Sequence, residues 1–538
     1  MELIASLSQI PWEMWIFGAL SLSIGWGIRG NFGHEIGAAM PGALASMAIV
    51  IMSGRPDWWQ RIHYFAMFGA IGWSFGGSMS YMQVISYTHS GHSLTIFYGF
   101  ANLFAIGFLW AAPGGMAVAM PAILKSDQLQ LFFFPCLAVF IGWALQQFFV
   151  DLLFHQDPRR RHESPLYWYD TDWLDVLIAV IAIMIVVIIR GGFDFSTSLI
   201  LHMGAGWYAA FLILVNLLKF RMTPPRGDNW SGCVGIVSGA LVFCFRNGLE
   251  QVTLVILLTG ILGGIGFASG QQIKLLFIKT GLQTNWHSIL EQTQGFLFGI
   301  ALVAGIGILS ILTPQITDAT DLPTWTHIFA VVFVLVIITY LNHRKAVGTW
   351  IEQVKSLPEK FFGLPTIGLF LRSKGFLGWF EVIYVSVGIA CILILTSHTK
   401  NPIDLIPESW LGRSQLLYLI FLWWIVTFNF ERALTGFSPH RLVTEGAITF
   451  NAIIATILMA LKPLPAKEII PLRAKYLAWL MDIALYGTVI TLVIITIYWS
   501  LTRILFKNNP IDYSGLHIRF GPDRTATTVK LKQGESHP

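Results

Sequence analysis

Apolar runs of about 20 residues, each long enough to cross a roughly 30 Å hydrocarbon core as a helix, recur from Trp12 to about Phe506. Hydrocarbon offers no hydrogen-bond partner to an open backbone, so such runs must close their own peptide hydrogen bonds, which a helix does. Composition agrees: 55% of the 538 residues are hydrophobic and 12% are charged, against about 25% charged in an ordinary soluble domain. The expectation is an all-α, polytopic transmembrane helix bundle of about fourteen spans (roughly 12–15), integral to a cytoplasmic (inner) membrane. Two runs, 36–53 and 231–247, are short and glycine-rich, which fits a re-entrant or broken segment as well as a full crossing.

Residues 1–342 read as the main membrane domain and 377–507 as further membrane helices before a polar tail at 508–538. Between them, 343–376 mixes Trp350, Phe361 and Phe370 with Arg344, Lys345, Lys355 and Arg372, the pattern of an amphipathic connector on an anionic membrane surface. Met1-Glu2-Leu3-Ile4 has no basic n-region, so no removable signal peptide is expected. Cys136, Cys233, Cys244 and Cys391 all fall in apolar runs without C-x-x-C spacing, which points to inert thiols and to neither a metal site nor a disulfide framework. The net charge of +5 is spread among connections, as lipid-facing topology requires, and calls for no nucleic acid. Arg55 with Arg61, Arg159–Arg161 and Lys219–Arg226 cannot all lie on one side under this span count, so the basic residues leave the orientation open.

An internal similarity adds organisation. Phe68-Gly69-Ala70-Ile71-Gly72-Trp73-Ser74-Phe75-Gly76-Gly77 aligns without gaps on Leu262-Gly263-Gly264-Ile265-Gly266-Phe267-Ala268-Ser269-Gly270-Gln271. His92-Ser93 and Gly99-Phe100 downstream of the first run parallel His287-Ser288 and Gly295-Phe296 downstream of the second. An even number of intervening spans makes the expected repeat, about 63–123 and 251–312, parallel, an arrangement secondary transporters use to place solute sites at the repeat interface.

Three clusters carry ionisable or hydrogen-bonding groups among these apolar runs. Gly25-Trp26-Gly27-Ile28-Arg29-Gly30-Asn31-Phe32-Gly33-His34-Glu35 holds an arginine, a histidine and a glutamate that cannot share one face of an unbroken helix. With a break at Gly30 or Gly33, Arg29 is placed to clamp an anion and His34 with Glu35 to take up a proton; a solvated turn with an Arg29–Glu35 ion pair is the competing explanation. In the repeat runs, Ser74, Ser78, Ser80 and Gln83 follow one another in the first copy and Ser269, Gln271, Gln272 and Lys274 in the second. Amides and hydroxyls beside Trp73 and Tyr81 suit a polar solute, although small and hydroxyl residues also serve as interhelical glue. His287 and Glu291, four apart and near Gln292 and Gln294, share a helix face and form a second proton-coupling pair, unless Trp286 simply anchors an interfacial cap.

The chain has no nucleotide P-loop, no H-E-x-x-H, no nucleophile elbow and no regular arginine series, which argues against a nucleotide-driven pump, a zinc protease or a voltage sensor. No cofactor is expected. The function that fits is secondary active transport of a small polar organic solute, a sugar or organic anion, with proton coupling. Arg29, Trp73, Gln83, Gln271 and Gln272 then bind substrate, and His34, Glu35, His287 and Glu291 couple protons. A membrane-embedded transferase acting on a lipid or saccharide, with His34 as general base, is the first alternative, and a non-catalytic scaffold or signalling component the second.

Overall fold

The structure is a computed structural model that describes residues 2–32, 35–79, 81–154, 171–222, 227–281, 285–319, 321–342, 389, 393, 410–434 and 439–460. These form helices, with no strand among the described residues. In chain order they are α1 Glu2–Gln9, α2 Trp12–Phe32, α3 Glu35–Met52, α4 Pro56–Gln60, α5 Ile62–Phe75, α6 Met82–Tyr87, α7 Ser93–Ile123, α8 Ser126–Leu129, α9 Phe133–Phe154, α10 Trp173–Arg190, α11 Phe195–Ala210, α12 Asn229–Arg246, α13 Glu250–Ile278, α14 Trp286–Leu312, α15 Thr324–Val332, α16 Trp410–Leu434 and α17 Pro439–Ala460. Both α11 and α15 continue as π-helical stretches, Phe211–Leu217 and Phe333–Ile338.

Eight helices among the described residues are long and apolar enough to cross a membrane, which makes the chain a polytopic, integral membrane protein. The expected connector at 343–376 and the tail at 508–538 lie outside the described residues, as does the expected membrane stretch 377–507 apart from Ile389, Leu393, 410–434 and 439–460. The two short glycine-rich runs, left open between a broken segment and a full crossing, form continuous helices: α3 passes through Pro41 and α12 is an 18-residue helix. A break falls at Gly76–Ser78, where α5 gives way to a 3-10 turn before α6.

Six helices close a ring in the order α2, α3, α5, α7, α13, α14 and back to α2. Each successive pair, α2–α3, α5–α7 and α13–α14, runs out and back, so the ring has two poles. At one, Arg55 donates to the Thr313 carbonyl at 2.7 Å, joining the end of α3 to the end of α14. At the other, Arg29 near the end of α2 meets Glu291 near the start of α14. Glycine makes the ring tight. A Cβ at Gly42 would overlap the Gly69 carbonyl and one at Gly69 would overlap Ser46, so α3 and α5 touch backbone to backbone there. Outside the ring, α9 to α12 form a second layer in which α12 packs on α7 and α13, while α16 and α17 flank α2 and α3. Exposed Ile185, Ile188, Ile189 and Leu217 on this outer layer suit a lipid-facing surface.

The Arg55 pole is pinned by buried arginines. Arg55 grips both Asp57 oxygens, at 2.9 and 2.6 Å, and donates to the Pro314 carbonyl at 2.7 Å. Arg61 donates to the Pro121 and Leu124 carbonyls at the end of α7 and to Ser126 Oγ. Cations at helix C-termini satisfy orphan carbonyls and the helix dipole together. Arg55 and Arg61 are therefore structural caps, not loop charges, which removes one member of the charge conflict in the sequence. For Asp57, burial opposes ionisation, but the Arg55 hydrogen bonds, the Ile316 N–H and the Arg55 charge hold its carboxyl below the usual range.

Candidate functional site

Four helices and one turn build the Arg29 pole. Arg29 lies within the last turn of α2, and the helix continues through Gly30 to Phe32. Gly30 is needed for a packing reason: a Cβ there would overlap the Glu291 carboxylate. The expected break therefore does not fall at Gly30. Positions 33 and 34 separate α2 from α3, and the site residue His34 lies outside the described residues; Glu35 begins α3, with its side chain also outside them.

The Arg29 Nη2 donates to Glu291 Oε1 at 2.9 Å and to the Tyr81 hydroxyl at 3.0 Å, and Tyr81 in turn donates to the same Glu291 oxygen at 3.2 Å. His287 Nε2 stands 3.4 Å from Glu291 Oε1, one helical turn earlier on α14. Lys274, on the last turns of α13, is buried and feels the Glu291 charge. Arg29 and Tyr81 are fully buried and Glu291 is 3% exposed. This is a closed, charged cluster inside a helix ring.

Aromatic rings form its floor. The Arg29 guanidinium lies over Trp26 at 4.4 Å, Trp110 at 5.1 Å and Tyr81 at 5.9 Å. Cation–π attraction from faces in a dry setting offsets part of the cost of burying the charge. Trp26 packs edge-on against Trp73 and Phe298, and Phe267 stacks on Phe298 at 5.4 Å. Trp110 fixes the floor by donating to the Trp73 carbonyl at 2.7 Å.

The expected site residues separate into groups. Arg29, His287 and Glu291 meet directly. Trp73 belongs to the floor, fully buried. Gln271 is fully buried on α13, three residues before Lys274, and donates to Thr88 Oγ1 at 2.9 Å. Gln272 is exposed, turned off the ring-facing side of α13, and does not join them. Gln83 is half-buried on α6 with a buried amide oxygen that meets no donor. Tyr81, Lys274, Gln294 and Trp26 stood in the sequence clusters without an assigned site role, and Trp110 was not foreseen. Trp26 carried a signal, since an aromatic three residues before an arginine shares its helix face. For Trp110, 81 residues from Arg29, no local signal exists.

A comparison with protein-family models, characterised proteins and solved structures found no match to this chain. Among the described residues no group of three or more histidines, cysteines or carboxylates could hold a metal ion.

Proposed function

We propose that this protein is a secondary active transporter of a small polar organic solute, coupled to protons, with its site at the Arg29 pole. The observation that carries the reading is the Arg29–Tyr81–Glu291–His287 cluster, buried inside a helix ring. A buried ion pair is weak evidence for stability, because well-packed apolar residues of similar volume do as well or better. Ionisable groups kept at such a place mark ion, proton or substrate paths. Arg29 supplies planar recognition of an anion, and a carboxylate shared with a histidine supplies a proton acceptor. Of the two solute classes, an organic anion suits Arg29 better than a neutral sugar.

The ring supports the reading further. The two glycine-rich runs sit on α5 and α13, each followed by a returning ring helix, and both pairs run in the same sense, as a parallel duplication requires. Basic residues stand at both poles: Lys219, Arg221 and Lys279 in the connections at the Arg29 pole, and Lys125, Arg190 and Arg246 beside the buried Arg55 and Arg61 at the other. The positive-inside bias therefore leaves the orientation open.

Uptake of labelled acetate, lactate, gluconate and glucose into proteoliposomes tests the class. Accumulation of at least one anion, abolished in Arg29→Gln, is expected; accumulation of none of the anions would overturn the assignment. Chemical conversion without accumulation would favour the transferase.

A further inference from the structure

Two buried amide oxygens lie one turn deeper in the ring than the charged cluster. Gln271 and Gln294 are both fully buried, and neither Oε1 meets a donor. Their orientations are fixed by their partners. The Thr88 hydroxyl donates to the Ile85 carbonyl at 2.6 Å, so its oxygen must accept from Gln271, which puts the Gln271 amide nitrogen there and its oxygen elsewhere. Gln294 Nε2 donates to the Phe267 carbonyl at 3.1 Å, and a carbonyl can only accept, so flipping that amide is equally excluded. A buried acceptor without a donor is costly and rare in native structures, where such groups meet a donor, water or ligand.

Their place says what kind of donor. Gln271 is three residues before Lys274 on α13, and Gln294 three after Glu291 on α14, with Gly270 packed on the Gln294 side chain. Three residues of helix rise about 4.5 Å, so the two glutamines stand one turn below Lys274 and Glu291 on neighbouring ring helices. The rings of Trp26, Phe267 and Phe298 pack on one another beside Gln294, which bonds the Phe267 carbonyl.

Resting on the transport reading above, we infer that the solute is a small carboxylate bearing a hydroxyl or ammonium group on the adjacent carbon. Its carboxylate engages Arg29, taking the position Glu291 holds in the closed cluster, and its donor reaches Gln271 and Gln294. A site built to hydrogen-bond a substrate OH or NH rejects the analogue lacking it, because its own polar groups are then left unpaired.

The test is equilibrium binding of propionate, lactate, alanine and propionamide to the purified full-length protein. Lactate or alanine should bind at least ten-fold more tightly than propionate, propionamide should not bind measurably, and Gln294→Leu should reduce the preference to two-fold or less. Propionate binding as tightly as both others would overturn the inference, as would a preference that survives Gln294→Leu, which would leave the amide oxygens satisfied by water alone. No binding of any carboxylate overturns it too. The wild-type comparison stands even if the variant fails to fold, and carboxylate uptake without 2-substituent preference would leave the transport reading intact.

Discussion

Arg29 and Glu291, 262 residues apart in sequence, lie 2.9 Å apart between α2 and α14 with almost no exposure to solvent. Truncating either partner alone strands a buried charge, at a cost of about 3–5 kcal/mol. Glu291→Leu should therefore lower the midpoint of thermal unfolding in detergent, and adding Arg29→Leu should recover most of that loss while leaving transport absent. A double variant no more stable than Glu291→Leu would show that the pair is not the coupled unit described.

Gly30 faces the same carboxylate. Gly30→Ala forces a methyl group onto Glu291, and a displacement of that side chain disturbs its contacts with Arg29, Tyr81 and His287 together. Transport should fall at least ten-fold. Gly192→Ala, where an added Cβ meets nothing within 4 Å, is the matched control and should behave as wild type.

At the opposite pole, stability should depend on acid through Asp57. Its carboxyl is held below the usual value, so the unfolded chain, titrating near about 3.9, binds the proton first. The stabilisation is thus fully present above the unfolded value and is lost as pH falls through the lower folded one. Melting curves between pH 7 and pH 3 should show a drop at the acid end that is smaller in Asp57→Asn, whose stability is already reduced at pH 7.

Lys279 follows α13 at the Arg29 pole, and Gly192 follows α10 at the opposite pole. With Cys391 replaced by serine, Lys279→Cys and Gly192→Cys should react with an impermeant maleimide in vesicles of opposite orientation, one in inside-out and the other in right-side-out preparations. Reaction of both in the same preparation would contradict the two-pole arrangement.

What could be read from the chain alone follows from the range of the interactions. Apolar run length reports on lipid solvation residue by residue, so the helical, polytopic class was legible. The i, i+4 pairing of His287 with Glu291 was legible because helix geometry makes those residues neighbours. The partner of Glu291 was not: Arg29 was expected to work with His34 and Glu35 beside it, and nothing local announces a contact that the ring closes between its first and last helices. Of the two positions offered for a break, Gly30 sits within α2 and serves contact with a side chain, while Gly33 lies outside the described residues. Arg55 and Arg61 looked like loop charges because a cap on a distant helix end leaves no spacing signal.

The most direct test of the account is pH-gradient-driven accumulation of a labelled carboxylate in proteoliposomes, compared between wild type and Glu291→Gln. With the proton acceptor removed and the site otherwise retained, wild type should concentrate the solute with the gradient, and Glu291→Gln should equilibrate it without concentrating it. Undiminished, pH-driven accumulation by Glu291→Gln would contradict the central role given to the Arg29–Glu291 pair.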